Sequence, residues 1–291
     1  MRTRTFANAG IKVTELALGA WAIGGENYGP VDEAQALATI EAYLAGGGNC
    51  IDTAHGYGAS EERIGKALRQ GGYPRDSLVL ASKTPRGTSR EDISGMREHL
   101  EQSLRRLDTD YIDIYQLHSP PEDPEIQLAA LEEMQAFKSE GKIRAVGASI
   151  KGPNVTAETV ELCRRYVDSG MVDALQLIYS VLRQGNRESV DYAESKGVGC
   201  IVRTVLESGF LTGKYDGKTS FAEHDHRNRW KVEQIARFKE IVLELESRYL
   251  GGNYGSVPQL AIAFALEPPG ATTLILGAKT PDQVSRNLAS A

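Results

Sequence analysis

The chain reads as an α/β protein, a closed (β/α)8 barrel of the TIM type with an N-terminal β-hairpin across its bottom. Three observations predict this. Short β-branched, apolar runs alternate with longer runs of helical period, the pattern of parallel strands joined by helical crossovers. Eight such strand–helix units follow one another, which favours a barrel over an open doubly wound sheet. The length of 291 residues suits one barrel, which typically takes about 250 residues. No Pro/Gly-rich linker divides the chain, so residues 1–291 are assigned to a single domain.

The elements follow in order. Residues 3–14 read as a hairpin turning at Asn8-Ala9-Gly10, placed to cover the N-terminal end of the barrel. The eight strand candidates are ELALG, NCID, LVLASK, YIDIYQLH, IRAVGAS, ALQLIYS, GCIVRT and TTLILGA. They are apolar almost throughout, as strands covered on both faces should be. Between them, Leu37, Ile40 and Leu44 form one helical stripe, ended by Gly46-Gly47-Gly48. Ile93, Met96, Leu100, Leu104 and Leu107 form a second, opened by a capping arrangement at Ser89-Arg90-Glu91-Asp92. Ile126, Ala130, Met134 and Phe137 form a third, ended by Gly141, since glycine accepts the left-handed turn past a helix. Residues 207–231 stand outside the repeat as a long polar connection containing EHDHRNR. Such a loop in a compact domain is usually functional or mobile.

Composition narrows the class. Hydrophobic residues make up 41% and charged residues 25%, as in globular proteins that bury a core. The net charge is −6 with no basic run, which argues against nucleic acid or an anionic membrane as partner. Cys50, Cys163 and Cys200 form no CxxC pair and no metal-ligand spacing, so they read as reduced thiols of a cytoplasmic protein, and no metal is expected. The N-terminus lacks the apolar stretch of a signal peptide, and no apolar run approaches the roughly 20 residues of a bilayer span. Oligomeric state is left open.

In a barrel of this kind the C-terminal strand ends build the active site. The second strand ends at Asp52, the third at Lys83, the fourth at His118 and the fifth at Ser149; the sixth passes through Gln176 and the seventh carries Arg203. Tyr57 follows Asp52 in a loop flanked by Gly56 and Gly58. Taken singly, each has a plainer reading: Asp52 a helix cap, Tyr57 a packed loop aromatic, Lys83 a solvated strand end, His118 a turn residue. Their convergence on one barrel face shifts the odds towards chemistry. A free tyrosine has a pKa of about 10; a nearby ammonium favours its phenolate, and a carboxylate keeps that ammonium charged and in place. Such a tyrosine can exchange a proton with a carbonyl oxygen while a hydride reaches or leaves the carbon. The histidine can orient the same oxygen.

The motifs DTAHGYGASEERIG, LVLASK and YIDIYQLH resemble those of the aldo-keto reductase superfamily, in the branch that is also similar to potassium-channel β subunits. The likeness runs from VTELALGAW to TPDQVSRNL, nearly the whole chain. It implies an NAD(P)H-dependent oxidoreductase acting on an aldehyde, ketone or sugar carbonyl, with Tyr57 as general acid/base, Asp52 and Lys83 tuning it and His118 positioning the carbonyl. It places Gly19, Ala20 and Trp21 by the nicotinamide ribose, and Ser149 and Gln176 on the carboxamide. Arg203 takes the position of an aromatic that stacks on the ring. Thr204, Val205, Leu206, Gly209, Leu211 and Lys214 resemble the pyrophosphate segment, and Gly277, Lys279, Gln283, Arg286 and Asn287 the adenosine end. Trp21, Tyr28, His55, Tyr57, His118 and Trp230 are expected at the substrate.

The final motif also stands on its own. LILGAKTPDQVSRNL reads as strand, loop and helix start, with Thr280 and Gln283 as a capping box and Pro281 at the first helical position. The helix N-terminus suits a phosphate, and Lys279 precedes it. This favours NADPH over NADH. Departures from the family pattern are Ile150 for an asparagine after Ser149, Arg286 for an acidic residue, Arg203-Thr204-Val205 for aromatic-Ser-Pro, and an end at Ala291 without the usual tail over the pocket. A wider mouth for polar or bulky substrates is the expectation. The alternative functions are a cofactor-binding regulatory subunit with little catalysis, and a phosphate-binding isomerase or lyase.

Overall fold

The structure is a computed structural model; it describes residues 1–25, 27–87, 89–152 and 154–290, without the side chains of residues 90 and 91. The chain opens with β1 (Thr3–Phe6) and β2 (Ile11–Thr14), an antiparallel hairpin. Gly10 turns it at φ +64°, a left-handed value that suits glycine. Phe6, Ile11 and Val13 are fully buried and pack on Ala17, Cys50, Ala81, Ile114 and Ala145 from the strands that follow. The hairpin therefore plugs the bottom of the barrel, as its position in the sequence predicts. Arg4 fastens it, donating to the carbonyls of Leu266, Pro268 and Ala271 and to the Glu15 carboxylate.

The barrel strands are β3 (Leu16–Gly19), β4 (Cys50–Asp52), β5 (Val79–Arg86), β6 (Ile112–His118), β7 (Ile143–Ser149), β8 (Ala174–Ile178), β9 (Gly199–Arg203) and β10 (Ala271–Gly277). They pair in parallel, in sequence order, and β10 closes on β3. All eight expected strands are present. One runs further than expected: β5 continues past Lys83 to Arg86, with an irregular register between the two. There the Thr84 hydroxyl accepts the His118 N–H at 3.0 Å, a side chain standing in for a ladder carbonyl.

The helices are α1 (Glu33–Ala45), α2 (Ser60–Gly71), α3 (Arg90–Leu107), α4 (Pro124–Ser139), α5 (Ala157–Asp168), α6 (Arg187–Ser195), α7 (Val232–Tyr249), α8 (Val257–Leu266) and α9 (Pro281–Leu288). Local chemistry sets their starts. Ser89 and Asp92 form a reciprocal capping box on α3, and Asp123 caps α4 ahead of Pro124. The α3 stripe of Met96, Leu100, Leu104 and Leu107 is buried in the main core. Cutting Leu100 to alanine would cost about 2–5 kcal/mol, the usual range for a buried leucine. At α9 the expected box is shifted by one residue. Thr280 accepts from the Gln283 N–H, but the Gln283 side chain accepts from the Lys279 N–H at 2.7 Å instead of that of Thr280. Among the described residues no helix is long and apolar enough to cross a membrane.

Candidate active site

β4, β5 and β6 bring three charged or polar side chains to the C-terminal face. Lys83 is fully buried, and a buried ammonium is costly unless it is paired and hydrogen-bonded. Its Nζ donates to Asp52 Oδ1 and Oδ2, each at 2.8 Å, and to the Thr53 carbonyl at 2.6 Å. Those three acceptors hold the nitrogen 5.1 Å from the centroid of the Tyr57 ring. The His118 ring stands 5.8 Å from the Tyr57 ring and nearly perpendicular to it, at 81°. Trp21 lies on another side of Tyr57, centroids 5.9 Å apart and planes at 29°.

The loop that carries Tyr57 is pinned from both sides. The Thr53 N–H donates to the Ala81 carbonyl and the His55 N–H to the Lys83 carbonyl, which ties the loop to β5. The Ala59 N–H donates to the Gly24 carbonyl. Gly24 comes so close that a Cβ there would sit 2.1 Å from the Tyr57 carbonyl oxygen. Only glycine permits that approach.

His118 is buried, and its Nδ1 has no hydrogen-bond partner among the described residues. Burial, then the charges of Lys83, Arg86 and Arg203, push its pKa down from 6.5 to about 3. The ring is a neutral hydrogen-bonding group near pH 7.

Ser149 and Gln176 join this centre. The Gln176 amide donates to Asp52 Oδ1 at 2.8 Å and to Gln116 Oε1 at 3.2 Å, while Ser149 donates to Gln176 Oε1 at 3.2 Å. Asp52 is therefore shared between the lysine and an amide chain running to β7.

A cavity of about 1330 Å³ opens over these groups. Gly19, Trp21, Tyr28, Asp52, Tyr57, His118, Ser149, Gln176 and Trp230 line it. So do Arg203, Thr204, Val205, Leu206, Gly209, Lys214, Gly277, Lys279, Gln283, Arg286 and Asn287. Ala20 and Leu211 are buried, and neither they nor Lys83 line the cavity. Arg203 donates to the Ile150 carbonyl at 2.8 Å, and burial lowers its pKa from the usual value. Lys279 Nζ reaches across to the Tyr28 carbonyl at 2.7 Å. His55, expected at the substrate, does not line the cavity. Its ring turns towards α3, where that helix offers it an aromatic edge and a hydroxyl, 5.1 Å from the His99 ring and 3.5 Å from Ser103 Oγ.

Sequence reasoning also missed residues. The connection after β9 folds over the cavity and docks on the loop after β3: the His226 N–H donates to the Asn27 carbonyl at 2.8 Å. The His226 ring sits 4.9 Å from Trp21 and 4.3 Å from Tyr28, and Ser208 Oγ lies 3.2 Å from its Nε2. The polar EHDHRNR stretch was the only signal. At the start of the same connection, Thr204, Glu207 and Ser208 take positive φ values of 67°, 48° and 56°. The buried Glu207 carboxylate is held there by Ser180 at 2.6 Å and Arg183 at 2.8 Å. Among the described residues no group of His, Cys, Asp or Glu is arranged to hold a metal ion, and the three cysteines are buried free thiols.

Comparison with known proteins gives the family and the fold. A model of the Aldo/keto reductase family matches residues 15–291. The chain is 35% identical over 297 residues to the aldo-keto reductase YhdN of Bacillus subtilis (strain 168), covering 98% of this chain and 87% of that protein. It is 32% identical over 307 residues to the NADH-specific methylglyoxal reductase of Escherichia coli (strain K12), covering 96% and 90%. Its fold matches the holo form of the aldo-keto reductase AKR11C1 from Bacillus halodurans with a TM-score of 0.76 at 26% identity, over 100% of this chain and 90% of that one.

Proposed function

The chain belongs to the aldo/keto reductase family and is an oxidoreductase that uses a nicotinamide cofactor on carbonyl compounds; within that chemistry we propose that Tyr57 is its general acid/base and NADPH its cofactor. The observation that carries the first part is the Lys83 ammonium, held by Asp52 and standing 5.1 Å from the Tyr57 ring. In the reductive direction Tyr57 gives its proton to the carbonyl oxygen as the carbon is reduced. The Lys83 charge, itself fully buried, then stabilises the phenolate left behind. His118, neutral because its pKa is near 3, hydrogen-bonds the same oxygen and orients it without competing as a proton donor. A dihydronicotinamide bound in the cavity would supply the hydride.

The cavity suits such a cofactor in its donor set. The Ser149–Gln176 pair offers a hydroxyl and an amide for a carboxamide, and Arg203 presents a planar cation beside it. At the far end, the α9 N-terminus, Lys279, Arg286 and Lys214 would take the pyrophosphate and a 2′-phosphate. That cationic end supports NADPH, although one relative is named as NADH-specific. The substrate is a small carbonyl compound, an aldehyde, ketone or sugar, reached past Trp21, Tyr28 and Trp230.

The test is nicotinamide absorbance with a panel of carbonyls, on the wild type and Tyr57→Phe. Turnover should fall by about 10²–10⁴ in the variant, the usual contribution of a positioned proton donor, with cofactor affinity kept within about two-fold. Wild-type turnover in Tyr57→Phe would overturn the assignment. Cofactor binding with no carbonyl turned over would favour a regulatory role.

A further inference from the structure

The cavity carries more positive charge than the cofactor's phosphates call for, and one part of it lies in the wrong place for them. Nine arginines and lysines line it, against two acids among the described residues. Both acids are already paired, Asp52 with Lys83 and Glu207 with Arg183, and Arg227 is paired with Asp225 just outside the lining; seven of the nine cations keep no carboxylate of this kind among the described residues. The whole chain has a net charge of −6, so this excess is local to the cavity. Lys214 and Arg227 stand on the connection after β9, and Lys279 and Arg286 after β10. In the closed barrel β5 is diametrically opposite β9. Arg86, at the end of β5, faces the reacting centre from the other wall.

The strand extension past Lys83 puts it there. Arg86 pairs in register with His118, and the next residue, Gly87, donates its N–H to the His118 carbonyl at 2.8 Å. Arg86 is exposed, is one of the residues lining the cavity, and has no carboxylate partner among the described residues. Its charge reaches the His118 ring. Lys151, after β7, is a second such cation on the lining.

We propose that the carbonyl substrate carries an anionic group, a phosphate or carboxylate, and that Arg86 binds it beside His118 while Tyr57 and His118 hold the carbonyl oxygen. A guanidinium offers paired N–H donors that fit either oxyanion. This rests on the oxidoreductase reading above and names the substrate class for it. Lys151 adds a long-range pull on the anion, which strengthens capture at low salt.

Two matched pairs of aldehydes test it: glycolaldehyde phosphate against glycolaldehyde, and succinic semialdehyde against butanal. In at least one pair the wild type should favour the anion by about ten-fold or more in kcat/KM, and the pair with the larger ratio identifies phosphate or carboxylate. Arg86→Gln should bring that ratio towards unity, chiefly through KM of the anion, and Arg86→Lys should restore part of it. Raising ionic strength should raise KM for the anionic member alone. Ratios near unity in the wild type, or unmoved in Arg86→Gln, overturn the proposal while leaving the carbonyl chemistry intact. If no aldehyde is turned over, the carbonyl chemistry fails by itself. Calorimetry then decides the anion site: with NADP+ present, glycerol 3-phosphate should bind at least ten-fold tighter than glycerol in the wild type and lose that margin in Arg86→Gln. Equal binding of the two overturns it.

Discussion

The Gln176 amide donates to Asp52 Oδ1 over 2.8 Å, across 124 positions of sequence. One carboxylate thus serves two masters: it holds the Lys83 ammonium and it orients the amide proposed to meet the cofactor. A change on either side should be felt on the other, because residues in one buried hydrogen-bond network do not act additively.

Gln176→Leu should therefore weaken cofactor binding by about ten-fold and lower stability by about 1–3 kcal/mol, since it strips a donor from a buried charge and leaves Ser149 without its acceptor. Fluorescence titration with cofactor and urea unfolding read the two effects. Unchanged affinity would separate Gln176 from the cofactor site.

Lys83→Met should destabilise the fold by about 3–5 kcal/mol, because Asp52 would remain buried beside the cavity without its cation. The double variant Asp52→Asn with Lys83→Met should recover much of that loss, since both charges then leave together. It should not recover turnover. Additive losses in urea unfolding would show that the pair is not coupled.

Three imidazoles have pKa values pushed below 6.5: His118 to about 3, His55 and His226 to about 4, in each case first by burial. Below pH 6.5 the unfolded chain takes up protons that the folded chain refuses. Stability should then fall as pH drops from about 6.5 through about 3–4. The loss in urea midpoint between pH 7 and pH 4.5 should be smaller in His118→Asn than in the wild type. An identical loss would mean that His118 protonates as readily in the fold as outside it.

Lys279→Ala should weaken NADPH binding by about ten-fold more than NADH binding if its ammonium meets a 2′-phosphate. In the structure that ammonium rests on the Tyr28 carbonyl, and burial, then the Arg227 charge, lowers its pKa. It would exchange a neutral acceptor for an anion, which makes a stronger bond. Parallel losses for the two cofactors in equilibrium binding would remove the preference for NADPH.

Much of this protein is local information. Eight apolar runs form eight strands in order, and Ser89, Asp123 and Thr280 start the helices they precede, because strand period and cap chemistry act over a few residues. Asp52, His118 and Ser149 lie on one face because their parallel strands all end there, so reading strand ends was enough to gather them; Lys83 joins them from within β5, which runs on to Arg86. Reach was not legible. β5 extends to Arg86 through a bond between Thr84 and His118, 34 positions apart. His55 turns to α3 while Tyr57, two residues on, turns to the cavity. His226 crosses the mouth to pack on Trp21 and Tyr28. Each of these depends on which backbone happens to lie opposite, and only the closed barrel sets that.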